Sequence, residues 1–589
     1  MPYFHTLPAS RVSQQVTDVF AGYNHNLKIG AGEFYDMKNL SSAHFPLLSN
    51  RAKRSTVARL EKPNGFIAKE ELAYVDGTRL FYGTEELTGY LNAKGFAIED
   101  SEKQLVSMGA YIVIFPDKLY INTQDYEDCG AIDAAFESTS NITYSICKAD
   151  GTAYAEPTVG ATAPESPENG SLWIDTSSPT HILRQYSAAS AIWTEIATVY
   201  TKIRSEGIGV NFAVYDGVSI SGASAVGTEV EAQISALNGT KIIYDRGEDY
   251  IVVIGLLDKT HTQEEGSLSI RRHMPDMDFV IEAQNRLWGC KYGTVDGMSI
   301  NEIYCCALGD FKNWNQFLGL STDSYVASVG TDGAWTGAVT FLGYPIFFKE
   351  NVLHKVYISS TGAHRITDTA CRGVQAGSAK SLVVVNETLY YKGITDVCAY
   401  DGSLPMSVSA ALGKEKYSEA TAGSVGDKYY ISMKDGEGRY RIFVLDTAHG
   451  VWHVEDEVHA RFWAKRSGEL YFISDNALLN VSGNIGEPEG DIEWSATTGL
   501  MGYESAEHKY VGRFNVRMNL PLNSTVDAFI EYDSSGPWHF VGHAEGKGTG
   551  SFLFPVRPRR CDHFRIRLQG KGDIRVYSFA KMLERGSDL

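Results

Sequence analysis

The sequence predicts an all-β protein: a six- or seven-bladed β-propeller carrying an inserted small α+β domain and a C-terminal β-sandwich similar to a jelly roll. Two observations lead there. A short strand-turn-strand phrase returns about seven times, and the composition favours pleated sheets joined by tight turns, with 33 Tyr, 26 Phe and 57 Gly in 589 residues. A chain of this length exceeds one ordinary core, so several units are expected.

The recurring phrase is a turn followed by an aliphatic and then an aromatic residue, as in VNETLYY at 385–391. Four of the six spacings between successive copies lie between 39 and 43 residues. Turn-then-strand units with a period of about 40 to 45 residues are typical of propeller blades. We take the residue before each aromatic as a marker: Leu80, Leu119, Leu287, Ile346, Leu389, Tyr429 and Leu470.

The blades are expected in residues 1–135, which hold the N-terminal strands and first blades, and in 271–485. The interval between them, 136–270, is too long for one blade and predicts an inserted domain. It contains a Pro/Gly/Ser-rich linker, a small hairpin over 171–196, and a short helix leading into a strand pair. Trp173, Tyr186 and Trp193 of this hairpin form either a sugar-stacking surface or the core of a small module.

Residues 486–589 predict the sandwich. GRFNVRMNL at 512–520 and HFRIRLQG at 563–570 alternate strictly between apolar and polar residues, so each strand has one buried face. The polar faces carry arginines in an otherwise acidic chain. This set either binds an acidic partner, a neighbouring subunit or DNA phosphate, or is a solvated sheet face: Arg513, Arg517, Arg557, Arg559, Arg560, Arg565 and Arg567.

The formal net charge of −19 argues against a protein that coats nucleic acid, which needs a basic face. It is compatible with a channel through which DNA slides without sticking. The eight cysteines include no CxxC pair and predict buried thiols in a reducing compartment. The N-terminus lacks a signal-peptide pattern, and no apolar run is long enough to span a membrane, so we expect synthesis in a cytoplasm.

No pattern in the sequence demands catalysis. His449, His453 and His459 do not form HExxH, and along a strand the first two stand too far apart to share zinc. The acidic pairs Asp276/Asp278 and Glu455/Glu457 suit glycoside hydrolysis only if folding brings two carboxylates together across a substrate; exposed turn or strand-end positions are the favoured interpretation. We therefore expect no enzymatic activity, no metal and no cofactor.

The order of phrases resembles the packaged-DNA stabilisation, or tail hub and nozzle, propeller proteins of tailed bacteriophages. The resemblance rests on MDFVIEAQNRLWGCKYG (277–293), NEIYCCALGDFKNWNQF (301–317), the stretch from 323 to 357 and CRGV at 371–374. FYDMKNLSSAHFPLLSNRAKR (34–54) resembles the opening of such proteins, although Ser49-Asn50-Arg51 replaces their Arg-Pro-Gly.

This resemblance implies a structural virion protein at the tail or neck, made in the host cytoplasm. It would form a homo-oligomeric ring, expected to be a hexamer, that retains packaged DNA and conducts it on ejection. Its partners would be portal, adaptor and tail proteins, and DNA would pass without sequence-specific binding. The alternative is a receptor- or glycan-binding tail protein that uses the inserted domain. A propeller glycosidase or lyase and a scaffold of a cellular complex are further rivals.

Overall fold

In the computed structural model the prediction of an all-β, propeller-containing protein is confirmed. The structure describes residues 12–264, 268–359, 361, 364–503 and 508–585. The described residues form seven antiparallel four-stranded sheets that follow one another along the chain, and we call them blades 1 to 7. Blade 7 also carries a short fifth strand, Glu487–Pro488, at its outer edge.

From the innermost strand outward, the first four blades comprise Pro63–Ala68, Leu72–Asp76, Arg79–Tyr82 and Glu85–Glu86; Gln104–Met108, Tyr111–Phe115, Leu119–Asn122 and Cys129–Ala131; Phe279–Glu282, Leu287–Val295, Met298–Cys305 and Tyr325–Ser328; and Gly337–Phe341, Tyr344–Lys349, Val352–Tyr357 and Arg365–Ala370. The last three comprise Val383–Val385, Thr388–Lys392, Val397–Tyr400 and Met406–Ser407; Ser418–Val425, Lys428–Lys434, Tyr440–Asp446 and Val451–Val454; and Ala460–Arg466, Glu469–Ser474, Ala477–Asn480 and Ser55–Arg59.

The innermost strands form a closed ring. Each contacts the innermost strand of the next blade, and between blades 4 and 5 the contact is made by the 3-10 turn Ala379–Ser381. The innermost strand of blade 7 contacts that of blade 1. The other helical segments of the propeller are short: Thr88–Ala93 and the 3-10 turn Ala410–Leu412.

The recurring phrase marks one strand in every blade. All seven marker residues are buried, from Leu80 in blade 1 to Leu470 in blade 7. The marker lies on the third strand of blades 1 and 2 and on the second strand of the others. In blade 5 the turn before it is built by Asn386 and Glu387, whose φ angles of 46° and 62° are those of a two-residue type I′ hairpin.

The ring is closed by strands from distant parts of the sequence. Ser55–Arg59 pairs with Ala477–Asn480 and so supplies the fourth strand of blade 7. Two buried arginines just before it, Arg51 and Arg54, pair with Glu489 and with Glu455 and Asp456 respectively. The ion pairs hold the N-terminal segment against blades 6 and 7, so folding of the ring requires both ends of its sequence.

The C-terminal sandwich has two sheets over one apolar core, to which Phe514, Val516, Phe564 and Ile566 contribute. One sheet contains Leu40–Ser41, Leu48–Asn50, Arg575–Arg585, Lys509–Leu520 and Gly548–Pro555, with Val12–Thr17 and Arg560–Cys561 paired beside them. The other contains Gly22–Tyr23, Glu33–Lys38, Glu493–Thr498, Phe564–Lys571, Thr525–Tyr532 and His539–Glu545.

The N-terminal strands up to residue 50 therefore belong to the sandwich, and the predicted boundary that grouped residues 1–135 with the blades does not describe them. The same core continues into blade 6, where Phe443 and Trp452 are buried beside Tyr23 and Phe34. The short strands between residues 22 and 50 show no alternation of apolar and polar residues that would predict them. Their assignment to the sandwich follows from the C-terminal strands with which they form sheets.

The inserted domain runs between the paired residues Ala134 and Arg272 and is mostly β. Its sheets comprise Ala134–Glu137, Ser269–Arg272, Gly217–Ser221 and Gly239–Ile242; Asp245–Arg246, Tyr250–Ile254, Tyr200–Arg204, Ile142–Cys147 and His261–Gln263; and Thr158–Gly160, Leu172–Asp175, Ile182–Ser187 and Ile192–Glu195. The predicted short helix is present as Glu231–Ser235, followed by the predicted strands. In the described residues of this domain one five-residue helix accompanies thirteen strands, so the domain is mostly β and not the predicted α+β.

Within the described ranges, all eight cysteines are free thiols, and seven of them are buried. This agrees with the prediction of buried thiols. No helix in the described part of the chain combines the length and apolarity needed to cross a membrane.

Candidate functional site

Trp173, Tyr186 and Trp193 come together on one face of the small sheet in the inserted domain. The ring centroids of Trp173 and Trp193 are 5.5 Å apart, and those of Tyr186 and Trp193 are 5.3 Å apart. Tyr186 and Trp193 are directly opposite each other on paired strands, so their side chains share a face. We call this set the aromatic face.

The aromatic face is distinct from the aliphatic core of this sheet. Leu172, Ile174 and Leu183 pack with Val199 on the other side of the strands, because side chains alternate along each strand. Trp173 is 7% exposed, whereas Tyr186 and Trp193 are half-buried. The sequence left open whether these aromatics form a core or a surface; the structure gives one buried tryptophan beneath two partly accessible rings.

Polar groups border the aromatic face. The Arg184 guanidinium lies 5.9 Å from the Trp173 ring centroid, and its Nε donates to Asp175 at 3.1 Å. Hydrogen bonds from Ser177, and then Arg184, hold the pKa of Asp175 below its usual range. Glu195 is paired opposite Arg184 and is exposed. The Trp173 indole N–H donates to the Gly160 carbonyl at 2.8 Å, which fixes the orientation of its ring.

The predicted arginine set does not form one surface. Arg513 and Arg517 lie on the outer face of one sheet of the sandwich, and Arg565 and Arg567 lie on the outer face of the other. Because the inner faces of both sheets share one core, these two pairs point away from each other. Alternation along each strand was predicted correctly, but the sequence did not show that the strands belong to opposite sheets.

Several of these arginines already have partners within the chain. Arg565 lies 3.6 Å from Glu531 and over the Tyr35 ring, and Arg567 stacks over Trp538 at 4.0 Å from the ring centroid. Burial lowers the pKa of Arg567. Arg557, Arg559 and Arg560 are exposed at the end of the sandwich, where Arg559 lies 5.2 Å from the Tyr532 ring centroid.

The histidines and paired acids considered as chemical groups are separated by the fold. His453 is buried, and burial lowers its pKa to about 3, whereas His459 stacks on Tyr440 with ring centroids 3.5 Å apart. His449 Nδ1 donates to the Asp446 carboxylate at 3.0 Å. Within the described residues, no group of three or more His, Cys, Asp or Glu side chains is arranged to hold a metal ion.

The interpretation of the acids as exposed is wrong for one of them. Glu455 is only 4% exposed, and its carboxylate neutralises the buried Arg54. Glu457, two residues further on, is exposed. Asp276 and Asp278 pair with different lysines, Lys118 at 2.7 Å and Lys291 at 2.8 Å.

A polar cluster on the propeller axis was missed by the sequence analysis. Lys380 lies 2.8 Å from Glu102, and Arg461 lies 4.0 Å from the same carboxylate. The Lys380 ammonium also lies 3.9 Å from the Phe462 ring centroid. Glu102, Lys380 and Arg461 lie where the first strands of blades 2, 5 and 7 begin. These blades are not neighbours in the ring, so the three side chains meet across its centre. Each of the three residues lies in an innermost strand or just before one. The repeat of about 40 residues could have located these positions in the sequence.

No family model and no curated protein matches the chain. Solved structures that match include an exo-β-1,3-galactanase from Phanerochaete chrysosporium, at 9% identity over 51% of this chain and 95% of that one, with a TM-score of 0.22. An engineered GH43 glycoside hydrolase with endo-xylanase and exo-arabinofuranosidase activity matches at 8% identity over 52% and 96%, with a TM-score of 0.20. The extracellular domain of a one-component system from B. thetaiotaomicron matches at 9% identity over 92% of this chain and 98% of that one, with a TM-score of 0.22.

These matches contradict the prediction of a structural virion protein without enzymatic activity, because the proteins they describe include glycoside hydrolases. That prediction is withdrawn. The oligomeric ring, the phage partners and the virion location that the resemblance implied stay predictions. Because their identities are 10% or less and their TM-scores are 0.22 or less, the matches do not show what this chain itself binds or does.

Proposed function

We propose that the protein binds a neutral glycan chain on the aromatic face of its inserted domain. The observation that carries this proposal is the separation of the two sides of the small sheet: aliphatic residues form its core, while Trp173, Tyr186 and Trp193 collect on the opposite side. A module that needed aromatics only for its core would not place them away from that core.

The chemistry of the aromatic face suits a sugar ring. The C–H face of a pyranose packs on an aromatic ring, and its hydroxyl groups take hydrogen bonds from polar groups at the border. Tyr186 and Trp193 supply partly accessible rings, and Arg184 and Glu195 supply donors and acceptors beside them. A neutral chain is favoured because Arg184 is already paired with Asp175 and the protein as a whole is acidic.

The test is retention of the full-length protein on a panel of immobilised neutral polysaccharides, followed by titration of the best one. Trp193→Ala should weaken binding roughly tenfold or more, since it removes a stacking ring and its buried area. Phe540→Ala is the matched control, because Phe540 is an aromatic residue 61% exposed on the sandwich. It should bind as the wild type does.

Two results would contradict the proposal. One is an absence of retention on every neutral polysaccharide in the panel; the other is equal affinity in wild type and Trp193→Ala. Assay of reducing ends in the same samples distinguishes a protein that only holds its glycan from one that also cleaves it.

A further inference from the structure

Two cations and one carboxylate meet at the propeller axis and form a group that the proposed glycan site does not use. Lys380, in the 3-10 turn before blade 5, lies 2.8 Å from the Glu102 carboxylate, and Arg461, in the innermost strand of blade 7, lies 4.0 Å from it. The Lys380 side chain reaches across the channel, since its ammonium lies 3.9 Å from the centroid of the Phe462 ring in blade 7. Both cations therefore approach one point on the axis, which we call the axial site.

The two cations have more hydrogen-bonding capacity than their neighbours use. Within the described part of the chain, the Arg461 guanidinium donates no hydrogen bond, and 4.0 Å is too long for one to Glu102. A guanidinium carries five N–H donors and an ammonium three, whereas one carboxylate has about four acceptor sites. The side chains of Arg461 and Lys380 are 34% and 39% exposed, so their remaining donors are open to a ligand in the channel.

The axial site has an excess of positive charge, because its two cations face a single carboxylate. Glu419, at the matching position of blade 6, does not compensate the remainder. Its carboxylate already accepts from Lys434 at 2.7 Å and from the Tyr440 hydroxyl at 2.6 Å. One positive charge is thus left over in a chain whose formal net charge is −19.

The channel walls limit the hydration of the axial site. Burial lowers the pKa of Lys380, and the Glu102 carboxylate opposes that shift. Burial also lowers the pKa of His459, and Arg461 lowers it further, so the imidazole is neutral at pH 8 and adds no charge. An ammonium that is short of water gains more from contact with an anion than one on an open surface, because the effective dielectric constant is lower.

We propose that the axial site binds the phosphate group of a small ligand between Lys380 and Arg461. A guanidinium holds two phosphate oxygens with parallel N–H donors, and an ammonium contacts a third oxygen. Glu102 occupies this position in the free protein and competes with the ligand. Its side chain is 56% exposed, so it can turn into solvent, and the two cations then match the two charges of a phosphate monoester. A carboxylate, with one charge, matches them less well. This inference is independent of glycan binding.

The experiment measures whether inorganic phosphate protects Lys380 of the full-length protein from acylation at pH 8. Sodium chloride keeps the ionic strength constant, and peptide mass spectrometry follows the labelling. Phosphate should slow the labelling of Lys380 severalfold and leave that of Lys259, an exposed lysine paired with Glu229, unchanged. Acetate at the same ionic strength should protect Lys380 less. Labelling of Lys380 that does not respond to phosphate, or equal protection by acetate, would overturn the proposal.

A comparison of two anions identifies the source of the phosphate group. Glycerol 2-phosphate carries the group as a monoester, whereas inorganic phosphate is the free ion. A lower half-protecting concentration for the ester would assign a phosphorylated ligand to the axial site, and a lower one for inorganic phosphate would assign the free ion. Either result supports the proposal.

Two variants separate a binding site from an ion pair that is only structural. Glu102→Gln should lower the half-protecting phosphate concentration roughly tenfold, since it removes the competing carboxylate, and Arg461→Gln should raise it by a similar factor. Glu229→Gln changes the net charge as Glu102→Gln does and should leave protection at Lys380 unchanged. Weaker protection in Glu102→Gln, or wild-type protection in Arg461→Gln, would contradict the proposal. If Arg461→Gln does not fold, the wild type and Glu102→Gln still decide it.

Discussion

Arg54 and Glu455 form an ion pair in which both side chains are buried, with Nη2 and Oε2 2.5 Å apart. The same guanidinium donates to Asp456 at 2.8 Å. The pair joins the segment before the fourth strand of blade 7, Ser55–Arg59, to the loop that follows blade 6. It therefore links the N-terminal closing strand to a part of the ring about 400 residues away in sequence.

Replacing Glu455 by Gln should destabilise the protein strongly. The substitution removes one of the two carboxylates that neutralise the buried Arg54 and leaves Asp456, a change that should cost about 1.5 to 3 kcal/mol. Denaturation in urea, followed by intrinsic fluorescence, measures the loss. The control is Asp491→Asn, which removes the exposed partner of Lys53 and should cost under about 1 kcal/mol. Equal midpoints for the two variants would show that the buried pair does not hold the ring closed.

His453 should make the protein sensitive to acid. Its folded pKa is about 3 because burial disfavours the charged ring; Lys428 lowers it further and Asp446 raises it. Between pH 6.5 and 3 the unfolded chain binds a proton that the folded protein does not, so its contribution to stability is complete above pH 6.5 and is lost as pH falls through this window.

The measurement is the free energy of unfolding of wild type and His453→Phe from pH 7 to pH 4. The difference between them should change by roughly 3 kcal/mol across this range, with the wild type losing more stability in acid. A difference that stays constant with pH would mean that His453 titrates alike in the folded and unfolded states.

Glu102→Gln should raise the reactivity of Lys380 at the propeller axis. Burial lowers the pKa of Lys380, and the carboxylate of Glu102 opposes that shift. Without the carboxylate, more of the amine is neutral at pH 8 and open to acylation. Peptide mass spectrometry after brief treatment with an acylating reagent measures the change. In the exposed pair Lys259–Glu229, the variant Glu229→Gln should leave the labelling of Lys259 nearly unchanged.

The inserted domain should be removable. Ala134 and Arg272 are directly opposite on paired strands, so the ends of the insertion are adjacent. A variant that joins Asp133 to His273 through two glycines should keep a folded propeller and sandwich. The Asn313 side chain would lose its hydrogen bonds to the Tyr215 carbonyl and the Gly217 N–H of the insertion. The loss in free energy of unfolding should be modest, because water can take the place of both partners.

Circular dichroism and thermal unfolding test the fold of this variant, and the polysaccharide assay tests its binding. The expected result is a folded protein without glycan retention. Retention at the wild-type level would place the glycan site outside the inserted domain, and failure to fold would show that the insertion is part of the ring's core.

The sequence located most strands because turn chemistry and side-chain alternation are local properties. The Asn386–Glu387 turn and the alternating strand Lys509–Leu520 are where the patterns predicted them. Strands of two or three residues, such as Gly22–Tyr23 and Leu48–Asn50, are too short for a periodic signal. Leu48–Asn50 pairs with a strand more than 400 residues away, and Gly22–Tyr23 joins the sandwich through Glu33–Lys38, whose other partner is equally distant.

The sequence by itself determined that this is a β protein of repeated blades with an insertion and a terminal sandwich, since period, turns and alternation are encoded residue by residue. Only the tertiary structure decided which side chains meet. It placed the arginines on opposite faces, buried Glu455 against Arg54, and gathered Glu102, Lys380 and Arg461 on the axis. Such contacts join residues that are distant in sequence, and their free energy depends on burial that exists only in the folded chain.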